Sequence, residues 1–400
     1  MNLKGKPCII TFSHYGALYG ANRSLLTLIL ALREEINWIV ICRERGDFSD
    51  ELSKNNITHN HIAFHGDVLP QSTTLVTRIV KTAVKSIVNL LLLPRIISLI
   101  IKNKPVAIHS NSSVFLMGAI TAYLTRTPHL WHIREFGDLD YEMKYGFGKK
   151  WFRFWANKAS SLICVSSSLR ETRLLNDQIT ANSIVIYNGI HLNESQALCL
   201  NHNPPYIITL VGIVTGGKGQ LNAIKALEIL QKSGFHVRLR LVGGFNHLDP
   251  YYMSLNRYIN DQRLESSIKF DGYITDTDQI YQNTHISLVC AENEGMGRVT
   301  VESMLRGIPV VAYDSGGTSE IIEHNIDGIL YKGDADTLAS EIKALLTDPA
   351  KYIAISRQAR ISAQTKYNVD IYKNKFKALV DSFRLSHKDK ESIYALNDRL

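Results

Sequence analysis

Apolar residues in this chain come in short, uninterrupted runs, each followed by a polar tip and then a stretch with helical spacing. CIITFSH (8–14), NWIVICRERG (37–46), VAIHSNSS (106–113), HLWHIREFGD (129–138), SLICVSSSLRET (161–172) and SIVIYNGI (183–190) set the pattern in the first half. YIITLVG, RLRLVGG, IKFDGYI, ISLVCA and PVVAY repeat it in the second. Runs without alternation suit strands buried on both faces, as in parallel sheets covered by helices. Leu25, Leu28, Ile29 and Leu32 recur at the spacing a covering helix needs. The pattern predicts an α/β fold in two halves. HLNESQALCLNHNPP (191–205) lacks periodicity and ends in two prolines, which marks a linker. The expected division is a first domain over 1–195, a linker over 196–205, a second domain over 206–365 and a terminal amphipathic helix over 366–400.

Length and charge agree with this outline. A chain of 400 residues exceeds one ordinary core and implies two domains. The net charge of +8 favours anionic partners: phosphorylated substrates, lipid surfaces or nucleic acid. No aromatic-basic module of the nucleic-acid kind is present, so nucleic acid is not an expected partner. Cys8, Cys42, Cys164, Cys199 and Cys290 are far apart, mostly in apolar runs and without metal-ligand spacing. They read as free thiols of a reducing compartment. The amino terminus reads as a first strand rather than a signal peptide. A cytoplasmic protein is expected.

The densest chemistry lies in 286–322, ISLVCAENEGMGRVTVESMLRGIPVVAYDSGGTSEII. Glu294 falls in the loop after one strand and Glu302 in the helix that follows, with Val299, Met304 and Leu305 on one face and Gly307 as the stop. Ligands of open parallel sheets sit outside the carboxyl ends of the strands. There, carboxylates suit the vicinal hydroxyls of a ribose or hexose. Gly316, Gly317 and Thr318 form a turn whose backbone N–H groups suit phosphate at a helix start. Sugar hydroxyls and phosphate together point to a nucleotide sugar.

This stretch resembles the donor-binding segment of glycosyltransferase family 4, the retaining "group 1" enzymes of the GT-B fold. The resemblance is strongest over 207–331. It implies two Rossmann-like domains facing each other across a cleft, with transfer of a sugar from a nucleoside diphosphate sugar of UDP or GDP type to an acceptor hydroxyl, anomeric configuration retained. The second domain would hold the donor: Glu302 on the ribose, Glu294 on the transferred sugar, and Lys218 on the leaving diphosphate. Many members carry an arginine where this chain has Ile213, and Arg298 is the residue expected to supply that charge. Gly20 falls in the glycine loop of the first domain, near the donor phosphates. No cofactor and no metal are expected, and no Asp-x-Asp motif is present.

LVGIVTGGKGQ also reproduces most of a Walker A loop, from Gly212 to Gly217-Lys218, but Gly219 replaces the magnesium-binding Ser or Thr. A P-loop NTPase therefore stays an alternative, as does a non-catalytic GT-B-like scaffold that binds sugar nucleotide or membrane. A glycosidase pair of Glu294 and Glu302 fits less well beside Lys218 and the glycine turn.

In the first half, His109, Asn111, His132, Arg134 and Glu135 land at strand ends. His132 matches the family position near the reacting sugar, and His109, Asn111, Arg134 and Glu135 are acceptor-side candidates. LVTRIVKTAVKSIVNLLLLPRIISLIIKNK (75–104) interleaves Arg78, Lys81, Lys85, Arg95, Lys102 and Lys104 with aliphatic residues and has no acid. Pro94 is expected to break it into two helices. The sequence leaves two readings open: a core helix pair, or a basic surface for anionic lipid. The second makes the acceptor a lipid-linked or polysaccharide glycan at the inner face of a cytoplasmic membrane.

Overall fold

The computed structural model describes residues 5–191 and 203–397, with side chains as far as Arg384. Cys199 and most of the expected linker fall outside the described residues. Two compact units emerge: residues 1–189 with 369–400, and residues 190–368.

The first unit contains β1 (Cys8–Ser13), β2 (Asn37–Cys42), β3 (Thr58–His61), β4 (Val68–Pro70), β5 (Ala107–Ser110), β6 (His129–Ile133), β7 (Met143–Tyr145), β8 (Ser161–Cys164) and β9 (Ser183–Val185). Seven of these strands form a sheet in the order β3-β2-β1-β5-β6-β8-β9. All its pairs are parallel. Strands β4 and β7 make a small antiparallel ribbon. Every residue of β1, β5, β6 and β8 is buried, as uninterrupted apolar runs require. One core face packs Leu25, Leu28 and Trp38 with Tyr372, Phe376 and Val380 of the last helix. The other packs Phe12, Phe64 and Phe115 with Ile96 and Ile100.

The second unit contains β10 (Tyr206–Val211), β11 (Val237–Val242), β12 (Ile268–Gly272), β13 (Ile286–Val289), β14 (Val310–Tyr313) and β15 (Ile329–Tyr331). Their order is β12-β11-β10-β13-β14-β15, again parallel throughout. Its main core joins Leu210, Leu239 and Leu288 to Ile224, Leu227, Leu338 and Ile342. The Ile190 N–H bonds the Tyr367 carbonyl at 3.0 Å, so the chain enters and leaves this unit at neighbouring points.

Each sheet reverses its strand order once, between β1 and β5 and between β10 and β13. The loops after those strands diverge and leave a crevice, the usual ligand position in such sheets.

Several elements differ from the sequence reading. The helix Leu75–Asn103 is continuous through Pro94. Pro94 and Leu90 both face outward, so the carbonyl left without a donor four residues back is on the solvent side. Strands β3 and β15 escaped notice because THNH is polar and ILY is only one short run. The helix Arg298–Leu305 buries nearly its whole circumference, leaving Val299 less buried than Glu302.

Candidate functional site

In the second unit, the loop after β10 narrows into a 3-10 turn, Gly216–Lys218, and Gly219 starts the helix Gln220–Lys232 at φ +71°. A Cβ on Gly219 would stand 2.4 Å from the Cys290 carbonyl oxygen, so only glycine lets this turn lie against the chain after β13. The aliphatic stem of Lys218 lies over Gly212, where a Cβ would be 3.4 Å from its Cγ and Cδ. Its ammonium meets Glu294 Oε2 at 2.6 Å, from the loop on the other side of the switch point. Both side chains are partly buried, 16% and 22% exposed.

A second ion pair follows immediately. Arg298 Nε donates to Glu302 Oε1 at 2.7 Å, one helical turn on. Glu302 is 5% exposed. Tyr281 donates its hydroxyl to Glu302 Oε2 at 3.0 Å, and burial together with the Glu302 charge holds that phenol well above its ordinary range. Arg306 lies over the Tyr281 ring at 4.8 Å and bonds Thr277 and Asp278. A buried carboxylate is tolerated only when so bonded. Tyr281 and Arg306 were not legible in the sequence: Tyr281 lies outside the 286–322 stretch, and Arg306 joins the site only through Thr277, Asp278 and the Tyr281 ring.

Gly316 and Gly317 pack closely against the Glu294 loop. The Gly317 N–H bonds the Glu294 carbonyl at 2.8 Å, and the helix that follows, Thr318–Ile321, is a single turn. A free phosphate-binding N–H is therefore not found at Gly317. A Cβ on Gly316 would stand 2.7 Å from Glu294 O, and one on Gly317 2.5 Å from Gly295 O. The two glycines let this loop press against the Glu294 loop and fix its carboxylate. Nearby, the buried hydroxyls of Thr318 and Thr300 have no partner, and both stand against Gly297. Two hydroxyl donors at the start of the helix carrying Arg298 suit a phosphate oxygen.

In the first unit, β5 and β6 bring His109 and His132 together beneath the switch point. Thr11 Oγ1 meets His109 Nδ1 at 2.8 Å, and His109 Nε2 meets His132 Nδ1 at 3.3 Å. Arg134 Nη2 lies 3.3 Å from the same His132 nitrogen. Burial and the Arg134 charge hold both imidazoles well below the ordinary histidine range, so they are neutral at pH 7. A guanidinium only donates, so His132 Nδ1 accepts and its proton sits on Nε2. His109 then donates from Nε2 and accepts from Thr11. This leaves the buried Nε2–H of His132 as the one ring position of the pair without a partner.

Arg134 also donates to Asn111 Oδ1 (2.8 Å), Asn188 Oδ1 (2.7 Å) and the Tyr372 hydroxyl (3.3 Å). Two acceptor-side candidates take other roles. His109 is fully buried against Phe376, their rings edge to face at 5.5 Å. Glu135 Oε1 accepts from Ser112 Oγ, Ser113 N and Ser113 Oγ at 2.6–2.7 Å, pinning the loop after β5. Gly20 is the first residue of the helix Gly20–Leu32, and a Cβ there would meet nothing within 4 Å. Gly16 is the tightly packed glycine, its Cβ position 2.3 Å from Arg45 O. Among the described residues, no group of three or more His, Cys, Asp or Glu is placed to hold a metal.

Comparison with known proteins follows the same division. The family described as Glycosyltransferase Family 4 matches residues 19–194, and Glycosyl transferases group 1 matches 194–362. The capsular polysaccharide biosynthesis glycosyltransferase CapM of Staphylococcus aureus is 23% identical over 361 residues, covering 83% of this chain and 92% of that one. A GDP-mannose-dependent phosphatidylinositol monomannoside mannosyltransferase of Mycobacterium tuberculosis is 27% identical over 177 residues, 41% of this chain and 44% of its own. Among solved structures, Anabaena Alr3699/HepE in complex with UDP-glucose superposes with a TM-score of 0.74 at 23% identity, covering 94% of this chain and all of the other. The two family matches run without a gap from residue 19 to residue 362, over two Rossmann-like units of the GT-B type. The chain belongs to the family 4, group 1 glycosyltransferases.

Proposed function

We propose that the chain transfers a hexose from a UDP- or GDP-sugar to an acceptor hydroxyl with retention of anomeric configuration, in the assembly of a bacterial polysaccharide or glycolipid. The observation that carries this reading is the pair of ion pairs at the β10/β13 switch point, Lys218–Glu294 and Arg298–Glu302. Such a pairing holds cations for a diphosphate and carboxylates for sugar hydroxyls in one place. In the reaction, the bond from the anomeric carbon to the β-phosphate oxygen breaks while the acceptor oxygen bonds the same face. The acceptor proton passes to the departing diphosphate. Lys218 and Arg298 stabilise the charge that develops on that oxygen, with Thr300 and Thr318 as hydroxyl donors; preorganised groups of this kind supply most of the rate enhancement in many enzymes. Glu302 takes the ribose and Glu294 the transferred sugar. On the acceptor side, His132 offers its Nε2–H to a sugar oxygen, positioned by Arg134, Asn111 and Asn188. Cations of the chain in the place of a metal support transfer without one.

The names of relatives support both bases: one solved relative is a UDP-glucose complex and one curated relative is GDP-mannose-dependent. A peripheral position at the inner face of the cytoplasmic membrane belongs to the same proposal. The first test is a thermal-shift screen with UDP, GDP, ADP and dTDP, in EDTA, on the wild type and Glu302→Ala. One diphosphate is expected to raise the melting temperature by mass action, and Glu302→Ala to abolish that rise. No rise with any nucleotide supports instead a scaffold without turnover, and a rise only without EDTA refutes the metal-free reading.

A further inference from the structure

The first unit carries an apolar face that its own core does not use. Over the first turns of the helix Leu75–Asn103, the usual amphipathic sense is inverted. Thr82 and Asn89 are buried, Asn89 bonding the backbone of His65, and Lys85 reaches the Val68 carbonyl at 3.2 Å. Val76, Ile79, Val80, Val84, Ile87 and Leu91 are instead 54–74% exposed. Leu92 and Leu93 turn back against the core, and beyond Pro94 Ile96 and Ile100 are buried in it. A helix of a globular unit buries its apolar stripe, and an outward stripe of this extent marks a contact surface.

The stripe continues onto a second element. Thr82 packs on Gly146, where a Cβ would be 2.3 Å from its hydroxyl. The next residue, Phe147, is exposed and meets Trp151 edge-on at 6.0 Å; Trp151 stacks on Phe154 at 5.7 Å, both exposed. Trp155 joins this row to exposed Tyr123 at 5.9 Å, and Lys158 lies over Tyr123 and Phe154. Exposed aromatic rings alternating with Lys149, Lys150, Arg153 and Lys158 are the composition of the headgroup layer of a bilayer.

Beside this row opens a cavity of about 480 Å³, lined by Tyr123, Arg126, Thr127, His129, Trp155 and Lys158 among others, with two cations and no acid. Trp155 Nε1 and His129 Nδ1 are buried there without partners. His129 starts β6, so the cavity is at the opposite strand end from His132.

We propose that this face of the first unit lies on an anionic phospholipid bilayer, with the outward stripe of Leu75–Asn103, Phe147, Trp151 and Phe154 at the acyl boundary and Arg126 and Lys158 taking a lipid phosphate at the cavity. Charge complementarity selects this occupant: residues 75–104 carry six cations and no acid. The helix is long and apolar enough to cross a membrane by length and composition. It lies along the surface instead, because Ile96 and Ile100 anchor its second half in the core. Its longest uncharged run, 86–94, also falls short of the roughly 20 residues a span needs. The proposal rests on the peripheral position proposed above and is independent of the donor chemistry.

The test sediments the whole protein with phosphatidylcholine vesicles, with and without phosphatidylglycerol, at low and high salt. Anionic vesicles are expected to bind about tenfold more protein than neutral ones, and salt to weaken that binding. Trp151→Ser with Phe154→Ser, and separately Val84→Gln with Leu91→Gln, lower partitioning about fivefold or more. Arg126→Glu with Lys158→Glu abolishes the preference for anionic vesicles. All six side chains are exposed, so melting curves separate lost binding from lost fold. Equal binding to both vesicles, or folded variants that bind like the wild type, overturns the proposal. Complete competition by soluble glycerol phosphate also overturns it, since the cavity would then serve a free phosphate ester.

Discussion

Lys218 shows how much a single side chain is asked to do. It is held by Glu294 across 76 residues of sequence, and among the described residues no other element presents a cation so close to that carboxylate. Losing one preorganised charge-stabilising group typically lowers kcat by about 10²–10³. Lys218→Ala is expected to do so with a smaller change in KM, read from initial rates with the nucleotide sugar whose base the melting screen selects; a change confined to KM would make Lys218 a binding residue only. His132 permits a spectroscopic prediction. The Arg134 guanidinium forces its proton to Nε2, so the ¹⁵N spectrum at pH 7 is expected to show Nε2-protonated neutral rings for both His109 and His132. A cationic ring, or the other tautomer at His132, would remove its assigned donor. Strand-end position and motif mark Lys218, Glu294, Arg298, Glu302 and His132 as candidates in the sequence. Tyr281, Arg306 and Asn188 are not marked, because each meets a partner outside its own stretch; Thr300 is not, because nothing local marks its buried hydroxyl.

At the scale of elements, the glycine loops carry the contrast. Gly16 and Gly20 look alike in the sequence, yet one is packed against Arg45 O and the other faces open space. Gly16→Ala is expected to destabilise the first unit by about 1–3 kcal/mol, the range for forced overpacking. Gly20→Ala is expected to keep or slightly raise the melting temperature, since alanine favours a helix start over glycine by several tenths of a kcal/mol. If ligand phosphates approach that backbone, Gly20→Ala nonetheless lowers kcat/KM; an unchanged value would take Gly20 out of the site. The paired glycines 316–317 teach the same lesson: the sequence marks a glycine turn, and only the structure shows that it packs on the Glu294 loop, with the Gly317 N–H on the Glu294 carbonyl. Close approach of two backbones separated by many residues is invisible to local pattern.

Across the whole molecule, buried histidines set an acid limit. Burial pushes His129 down to about 3, and burial with the Arg43 charge does the same to His14. His109 and His132 are also held well below their ordinary value of 6.5. A histidine whose folded pKa is depressed contributes stability that is present above its unfolded pKa and lost as pH falls toward the folded one. Each pH unit crossed below 6.5 costs up to about 1.4 kcal/mol per histidine. Asp67 works oppositely: burial raises it to about 6, so its contribution is lost as pH rises through that value, one group against four. All five residues lie in the first unit. Hydrogen exchange at pH 5 is therefore expected to show peptides of residues 5–189 opening well before those of 203–368, and equal opening would contradict the assignment. The sequence by itself determined the elements and the division into two parallel α/β units, because buried strands and amphipathic helices write their periodicity into neighbouring residues. It also indicated the loops that carry the candidate site residues, because strand ends and glycine turns are local signals. Tertiary structure alone decided the strand order that creates the two switch points, the pairing of Lys218 with Glu294, the histidine relay and the outward apolar face of Leu75–Asn103. Those features depend on which distant segments meet, and on which side of a helix the core happens to lie, and neither is encoded in any short stretch of chain.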